Sequence, residues 1–379
     1  MAGKKKLRVG VIGCGNISTA YFRLAPLFKG VRMVACADLK PELAAAQAKA
    51  FGLQAMTVDE LLADREIDIV VNLTIPAAHY PISKAALDAG KHVYSEKPFV
   101  LSLKEGLDLK KRAEKKGLRI GSAPDTFLGG AHQQARALID DGKIGQVTSG
   151  VCHVMNHGME HWHPNPDFFY APGGGPILDL GPYYVSSLVQ LIGPVTKVAA
   201  LTSIPQAERT ISNGPRTGET VPVGTPTTIH ALLHFANGAV VTLNASWDVW
   251  SHGHAPIELY GEDGTMLVPD PNFFGGTVGL TRRDKPLAKL PAWKHPLGVP
   301  NQQSPRGPLA NYRTVGLADM ALGILEDRPH RCSLDFALHA IDIMTAILQS
   351  GETGKFVTLT TSCERPAALD PATARKMMA

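Results

Sequence analysis

The chain has 379 residues, 44% of them apolar, and that length exceeds what one hydrophobic core usually organises, so about two domains are expected. Its 38 Lys and Arg against 34 Asp and Glu leave a formal charge of +4, with no basic run longer than Lys4 to Lys6, which argues against nucleic acid as a partner. No apolar run reaches the ~18 residues that a membrane span needs, and the glycines at 10, 13 and 15 interrupt the only segment that imitates a signal peptide.

In chain order, Leu7 to Ile12 is an apolar run of strand length, and after Gly13 and Gly15 the stretch Ile17 to Phe28 reads as an amphipathic helix up to Pro26. A strand "VRMVACAD" (31–38), an Ala-rich helix from Pro41 to Phe51, a strand "IDIVVNLT" (67–74), a helix from about His79 to Ala89 and a strand "KHVYSEKP" (91–98) follow. Strands and helices alternating at this spacing predict βαβ units and a parallel sheet. After Asp125 a helix over about Phe127 to Asp141 gives way to strand signals. The stretch 227–247 reads as two strands about the turn Ala236 to Gly238, and 256–269 as a hairpin about Glu262 to Gly264, so this half is read as antiparallel. Residues from about Asn272 to Pro308 are expected to be irregular, and Ser333 caps a helix over 333–350. The five cysteines (Cys14, Cys36, Cys152, Cys332, Cys363) are odd in number and never spaced CxxC, so a reducing cytoplasm is expected, without disulfides or a zinc knuckle.

The segment "GCGNIS" (13–18) lies between the first strand and the first helix. Gly13 and Gly15 let the chain turn tightly and let a pyrophosphate approach backbone amides at a helix N-terminus, where the helix dipole favours negative charge. The pattern is G-x-G-x-x-S, with Ser18 where a third glycine would pack helix against strand. Asp38, at the end of the second strand, suits the ribose hydroxyls of NAD and repels a 2′-phosphate; Lys40 blurs that preference, so NADP stays open. The other reading of Asp38 is a turn or cap residue before Pro41. "SEKP" (95–98) puts charge at the carboxyl end of a buried strand, where ligands of open α/β sheets bind. Lys97 there is a candidate for proton transfer, or it forms a salt bridge with Glu96 or Asp125.

The loop at Gly13 to Ser18, Asp38, "EKP" at 96–98, "GGGPILDLGPYY" at 173–184 and the ending "IMTAILQSGETGKFVTL" together resemble the Gfo/Idh/MocA family of nicotinamide-dependent oxidoreductases. The resemblance implies an α/β protein with an N-terminal Rossmann domain (1–124) and a C-terminal α/β domain (125–379). The latter's large, mainly antiparallel open sheet is often used for oligomer contacts, so a homo-oligomer, dimer or tetramer, is expected. The active site is expected between the domains. The family's lysine falls on Lys97 and its aspartate on Asp179, while its histidine, four residues further on, meets Tyr183 here. The expected cofactor set is Gly13, Gly15, Asn16, Ile17, Asp38, Thr74, Pro76, His79, Glu96 and Lys97. The expected substrate set is Asn156, His163, Asp179 and Tyr183, with Lys97, Asp179 and Tyr183 catalytic. Asp179 orients the substrate hydroxyl and Lys97, or is only a helix cap.

Around Tyr183, the residues Tyr184, Leu188 and Ile192 form one apolar helical stripe, and Tyr183, Ser187 and Gln190 a more polar face. A phenol with an ordinary pKa near 10 is a poor base at neutral pH, so Lys97 inherits more of the proton transfer. In "HVMNHGMEHWHPNP" (153–166), His153 and His157 share a face if the segment is a strand. No carboxylate or cysteine completes a metal site there, and none is expected. His163, beside Trp162, is the substrate candidate of this segment because relatives carry a Trp-Arg pair there. Trp247, Trp250, His252 and His254 form either an aromatic wall or ordinary core and surface. The expected activity is hydride transfer between NAD(H) and a secondary alcohol of a sugar, cyclitol or glycoside. The alternatives are glycoside cleavage by transient oxidation with retained NAD, and a non-catalytic dinucleotide sensor.

Overall fold

The computed structural model describes residues 6–305 and 307–379. The chain opens with β1 (Lys6–Ile12), α1 (Asn16–Leu24), β2 (Gly30–Ala37), α2 (Pro41–Phe51), β3 (Gln54–Met56) and α3 (Val58–Ala63). There follow β4 (Ile69–Asn72), α4 (Pro76–Asp88), β5 (His92–Ser95), α5 (Leu103–Lys116) and β6 (Ile120–Ser122). All six strands are parallel, in the order β3-β2-β1-β4-β5-β6. Leu7, Val9, Val11, Ile69, Val70, Val71 and Val93 are fully buried, as expected of a sheet covered on both faces. The order reverses between β1 and β4, so the carboxyl ends of β1, β4 and β5 border the crevice where such sheets bind ligands.

These elements belong to a compact unit formed by residues to Gly130 together with Lys294–Ile341 and Pro366–Ala379. The second unit comprises Ala131–Trp293 and Asp342–Arg365. A single boundary after residue 124 has no place for the two later segments that return to the first unit. Ser122 N donates to Cys332 O at 3.1 Å and Gly121 bridges Ser333, so chain from beyond residue 330 covers the β6 edge. Nothing local in the sequence marks so long-range a pairing.

The second unit runs through α6 (Gly130–Asp140), β7 (Val147–Met155), α7 (Asp167–Tyr170), α8 (Gly175–Asp179), α9 (Gly181–Ile192), β8 (Val195–Ser203), β9 (Glu208–Thr210) and β10 (Thr220–Pro222). It continues with β11 (Thr228–Phe235), β12 (Val240–Ser246), β13 (Ile257–Gly261), β14 (Gly264–Val268), β15 (Gly279–Arg282) and β16 (Ala288–Lys289). Its main sheet has nine strands in the order β16-β15-β14-β13-β7-β12-β11-β8, closed at the β8 edge by Val357–Thr358. The pairing is antiparallel except between β12 and β7, which are parallel. On β11 Ile229, Ala231, Leu233 and Phe235 are buried while His230, Leu232 and His234 are exposed, the alternation of a sheet with one covered face. On the covered face α9 packs against β7. β9 and β10 form a separate hairpin.

The returning chain carries the hairpin β17 (Gln302–Ser304) and β18 (Gly307–Leu309), then α10 (Val315–Leu325), α11 (Leu334–Thr353) and α12 (Pro371–Met377). Ser333 Oγ accepts from Phe336 N at 3.4 Å, the expected cap of α11. No described helix is long and apolar enough to cross a membrane.

Candidate active site

Gly13 leaves β1 with φ of +102°, and a Cβ there would sit 2.6 Å from the carbonyl carbon and oxygen of Leu73, so only glycine fits the turn. A Cβ on Gly15 would meet nothing within 4 Å, which leaves open approach to the amides that start α1. Asn16 and Ile17 supply those amides, and the first turn holds no acidic residue to neutralise the helix dipole. Ser18 folds back onto its own turn, its Oγ donating to Gly15 O at 2.6 Å, and a serine is thereby accommodated in the third position. This cradle fits a pyrophosphate.

Asp38 holds the loop from the end of β2: its Oδ2 accepts from Cys14 N at 2.7 Å and its Oδ1 from Lys40 N at 2.9 Å. The turn reading and the ribose reading of Asp38 are therefore compatible, because a carboxylate offers about four acceptor sites. Leu39 and Ile75, which follow β2 and β4, are exposed apolar side chains, at 93% and 64%. Neither has a motif to announce it. Asp38→Ala is expected to weaken NAD binding and to reduce discrimination against NADP. Titration with both cofactors checks this, and unchanged affinities would remove Asp38 from the site.

The loop after β5 is fixed by buried polar groups. Glu96 is 6% exposed; its N donates to Asn72 O at 2.9 Å, its Oε1 accepts from Tyr21 Oη at 2.9 Å, and its Oε2 accepts from Lys97 N at 3.0 Å. Asp125 is 3% exposed and its Oδ2 accepts from Thr314 N and Gly316 N, each at 3.0 Å. Burial, with the Glu96 charge adding to it, pushes the Asp125 carboxyl up to about 6. Thr74 Oγ1 donates to Asn72 Oδ1 at 2.7 Å, and Asn72 Nδ2 donates to His79 O at 2.9 Å. His79, expected among the cofactor contacts, is instead 1% exposed behind the loop, its two ring nitrogens 2.7 Å from Pro98 O and 3.0 Å from Thr74 O. It ties the β4 and β5 loops together, and burial lowers its pKa. Pro76 starts α4, whose first turn precedes the sequence expectation by three residues because proline suits that position. Lys97 is half-buried at the end of this framework.

In the second unit, Asn156 follows β7 and is exposed, its backbone N–H donating to Ser246 O at 2.9 Å. His163 is half-buried, its Nδ1 accepting from Asn165 N at 3.1 Å and its ring edge-on to Trp162, Phe168 and Phe169. His153 and His157 do not form a pair: the first stacks on His254 at 4.2 Å and the second on Trp250 at 3.4 Å. Among the described residues no three His, Cys, Asp or Glu gather as metal ligands. Trp247 is core, packed with Met159, Tyr170, Ile211 and Val221, whereas Trp250 is 83% exposed.

Asp179 ends α8 and is half-buried, and the cap position of α9 falls to Leu180, with no side-chain bond, so Asp179 is not that cap. The polar face expected on α9 is also corrected. All twelve residues of α9 are buried, and Tyr183 is 3% exposed. Ser187 and Gln190 thus meet protein rather than water, with Gln190 Oε1 accepting from Gln133 Nε2 at 3.2 Å.

Sequence reasoning missed what holds the 157–172 segment. Arg209 of β9, 2% exposed, pairs with Asp248 and reaches Glu160 at 3.5 Å, and the Tyr170 phenol donates to Glu160. Asn213 Nδ2 donates to Trp162 O at 2.8 Å, and Arg216 pairs with Asp167 at 2.5 Å. The β9–β10 hairpin thereby clamps the segment that carries Trp162 and His163.

Residues 7–123 match the Gfo/Idh/MocA oxidoreductase family's NAD-binding Rossmann fold, and residues 132–267 match that family's C-terminal domain. The chain belongs to the Gfo/Idh/MocA oxidoreductase family. Within it, the chain is 32% identical over 179 residues to an uncharacterised oxidoreductase of Schizosaccharomyces pombe, a match covering 44% of this chain and 48% of that protein. It is 27% identical over 293 residues to the levoglucosan dehydrogenase of Pseudarthrobacter phenanthrenivorans, covering 69% of this chain and 73% of that protein. A solved levoglucosan dehydrogenase in complex with NADH superposes with a TM-score of 0.79 at 21% identity, over 94% of this chain and 100% of that one, a likeness of fold. As a family member the chain carries an NAD-binding Rossmann domain.

Proposed function

We propose that the chain is an NAD(H)-dependent dehydrogenase of a secondary alcohol in a sugar, cyclitol or glycoside, with Lys97 as its acid and base. The observation that carries this reading is the convergence, at the carboxyl ends of β1, β4 and β5, of an open pyrophosphate cradle and a lysine on a loop that buried bonds hold fixed. The sugar class is supported by the similarity to a levoglucosan dehydrogenase.

Bound nicotinamide supplies the hydride acceptor or donor. Gly13, Gly15 and the first amides of α1 would hold the pyrophosphate, and Asp38 the ribose diol. Lys97 would take the hydroxyl proton during oxidation and return one to the developing alkoxide during reduction. Asp179 would accept a hydrogen bond from the substrate hydroxyl and orient it, and Asn156 and His163 would contact other substrate oxygens. A screen of sugars, inositols and glycosides with NAD and NADP, followed at 340 nm, tests the reading. It stands if a sugar alcohol yields NADH and falls if a glycoside is cleaved with no net absorbance change.

Tyr183 would donate a hydrogen bond to a substrate oxygen. Tyr183→Phe removes only the hydroxyl and should cost ~1 to 3 kcal/mol of transition-state stabilisation, with the pH limb of Lys97 kept. Loss of that limb would make Tyr183 the base, and a wild-type rate would put it outside the chemistry.

A second copy of the chain would cover the open face of the nine-stranded sheet. Leu201 (74% exposed), Leu232 (47%) and Phe356 (71%) lie on it around a groove of about 360 Å³ also lined by Ala199 and Lys355. Leu232→Asp should lower the mass found by light scattering, and an unchanged mass would exclude this face. The widely spaced, odd-numbered cysteines support a cytoplasmic setting.

A further inference from the structure

In the second unit β7 and β12 run parallel and in register, so the loops that follow them leave the sheet at the same end. Backbone pairing continues past both strands: Asn156 N donates to Ser246 O at 2.9 Å, and Val249 N donates to Asn156 O at 3.1 Å. Asp248 anchors the second loop through its bonds to Thr227, Thr228 and Arg209, and Trp247 is held in the core. Trp250 follows on this fixed base. Its indole stacks on the His157 imidazole, with ring centroids 3.4 Å apart and an interplanar angle of 14°. It is nevertheless 83% exposed, so the indole face turned away from His157 is bare. Its surroundings in the chain are polar: Ser251, His252 and His254 on the same loop and Asn156 on the neighbouring one are all exposed. His254 is itself placed by stacking on His153, and a Cβ on Gly253 would meet nothing within 4 Å.

The size and polarity of this feature decide what it suits. A stable protein interface takes about 800 Å² from each partner, whereas Trp250 is the one exposed large apolar side chain of residues 248–255. A single aromatic face within a polar rim matches a pyranose ring instead. One face of such a sugar presents C–H groups whose weakly positive hydrogens lie against the negative face of an aromatic ring, and its hydroxyls reach amides, hydroxyls and imidazoles around the edge. We infer that Trp250, backed by His157, is a stacking platform for a pyranose ring, whose hydroxyls meet the polar rim of Asn156, Ser251 and His252. The inference rests on the reading of the substrate as a sugar, cyclitol or glycoside, and narrows it to one with a pyranose ring.

The test is saturation-transfer NMR and a binding titration of the full chain, with NADH present, using the methyl pyranosides of glucose, galactose and mannose as probes. At least one should bind, with saturation strongest at the C–H protons of one ring face. Trp250→Ala should raise its Kd by about three- to ten-fold, and Trp250→Phe, which keeps a smaller ring, should raise it less. Both variants should keep the circular dichroism and NADH affinity of wild type, because the indole is exposed. Where the bound sugar is also turned over, KM should rise in Trp250→Ala with kcat largely kept, since stacking holds ground state and transition state alike. Failure of all three probes to bind, an unmoved Kd in Trp250→Ala, or equal losses in the two variants overturns the inference. A lower mass of Trp250→Ala in light scattering, with sugar binding kept, overturns it too and makes the indole a subunit contact. Sugar binding that depends on Trp250, with no sugar yielding NADH, counts against the dehydrogenase reading alone. Turnover of a pyranose whose KM ignores Trp250→Ala counts against the platform alone.

Discussion

Lys97→Met is expected to lower turnover by ~10²- to 10⁴-fold while NAD binding is largely kept. Methionine preserves the length and apolar stem of the side chain and removes the amine proposed to carry the proton. The cradle at Gly13 and Gly15, the Asp38 carboxylate and the bonds of Glu96 to Tyr21 and to the residue-97 amide involve no side-chain atom of Lys97. Cofactor affinity therefore reports whether the loop survived, and turnover reports the chemistry. Steady-state kinetics alongside a fluorescence titration with NADH checks both. Near-normal turnover would remove Lys97 from proton transfer, and lost NADH binding would show that the substitution disturbed the loop.

Arg209→Met should destabilise the second unit by about 3–5 kcal/mol, the usual result of removing one partner from a buried ion cluster. Arg209 answers two carboxylates at once, the half-buried Asp248 and the buried Glu160. Asp248 Oδ2 also accepts from Thr227 Oγ1 at 2.8 Å and Thr228 Oγ1 at 2.6 Å, so it is built into the start of β11 and cannot swing out to water. Tyr170 and Met159 N, whose bond to the Tyr170 phenol is 3.0 Å, close the other side. A triple variant, Arg209→Met with Glu160→Gln and Asp248→Asn, removes all three charges and should recover part of the loss. Denaturation followed by tryptophan emission checks this, since Trp247 packs on Tyr170 at 5.5 Å. A single variant as stable as wild type would mean that the cluster is not the clamp described.

Where a fold signal is local, the sequence carried it. The bare turn at Gly13, the Pro41 and Phe51 ends of α2 and the hairpin over 256–269 all rest on residues within a few positions of one another. Pairings that depend on distant chain were not legible. The parallel register of β12 on β7 joins strands about ninety residues apart, and no alternation of side chains distinguishes it from an antiparallel one. The helix α10 was missed because its mostly buried, apolar and Gly-containing sequence shows no clear amphipathic period. α9 misled for a related reason: spacing separated Tyr183 from the apolar stripe, but a helix buried all round has no polar face to display. Of the candidate site residues, Gly13, Asp38 and Lys97 could be proposed from sequence because their chemistry conflicts with their surroundings. The supporting bonds of Tyr21 and Arg209 could not be read in this way, since a lone tyrosine or arginine carries no such conflict until its partners are brought to it.

The most direct test of hydride transfer at this site uses the substrate sugar deuterated at the carbon that is oxidised, with NAD in ordinary water. The account predicts NADH carrying the deuterium at nicotinamide C4, formed at a rate that collapses in Lys97→Met. Deuterium found in the solvent, with unlabelled or no NADH and a cleaved or unchanged sugar, would contradict it.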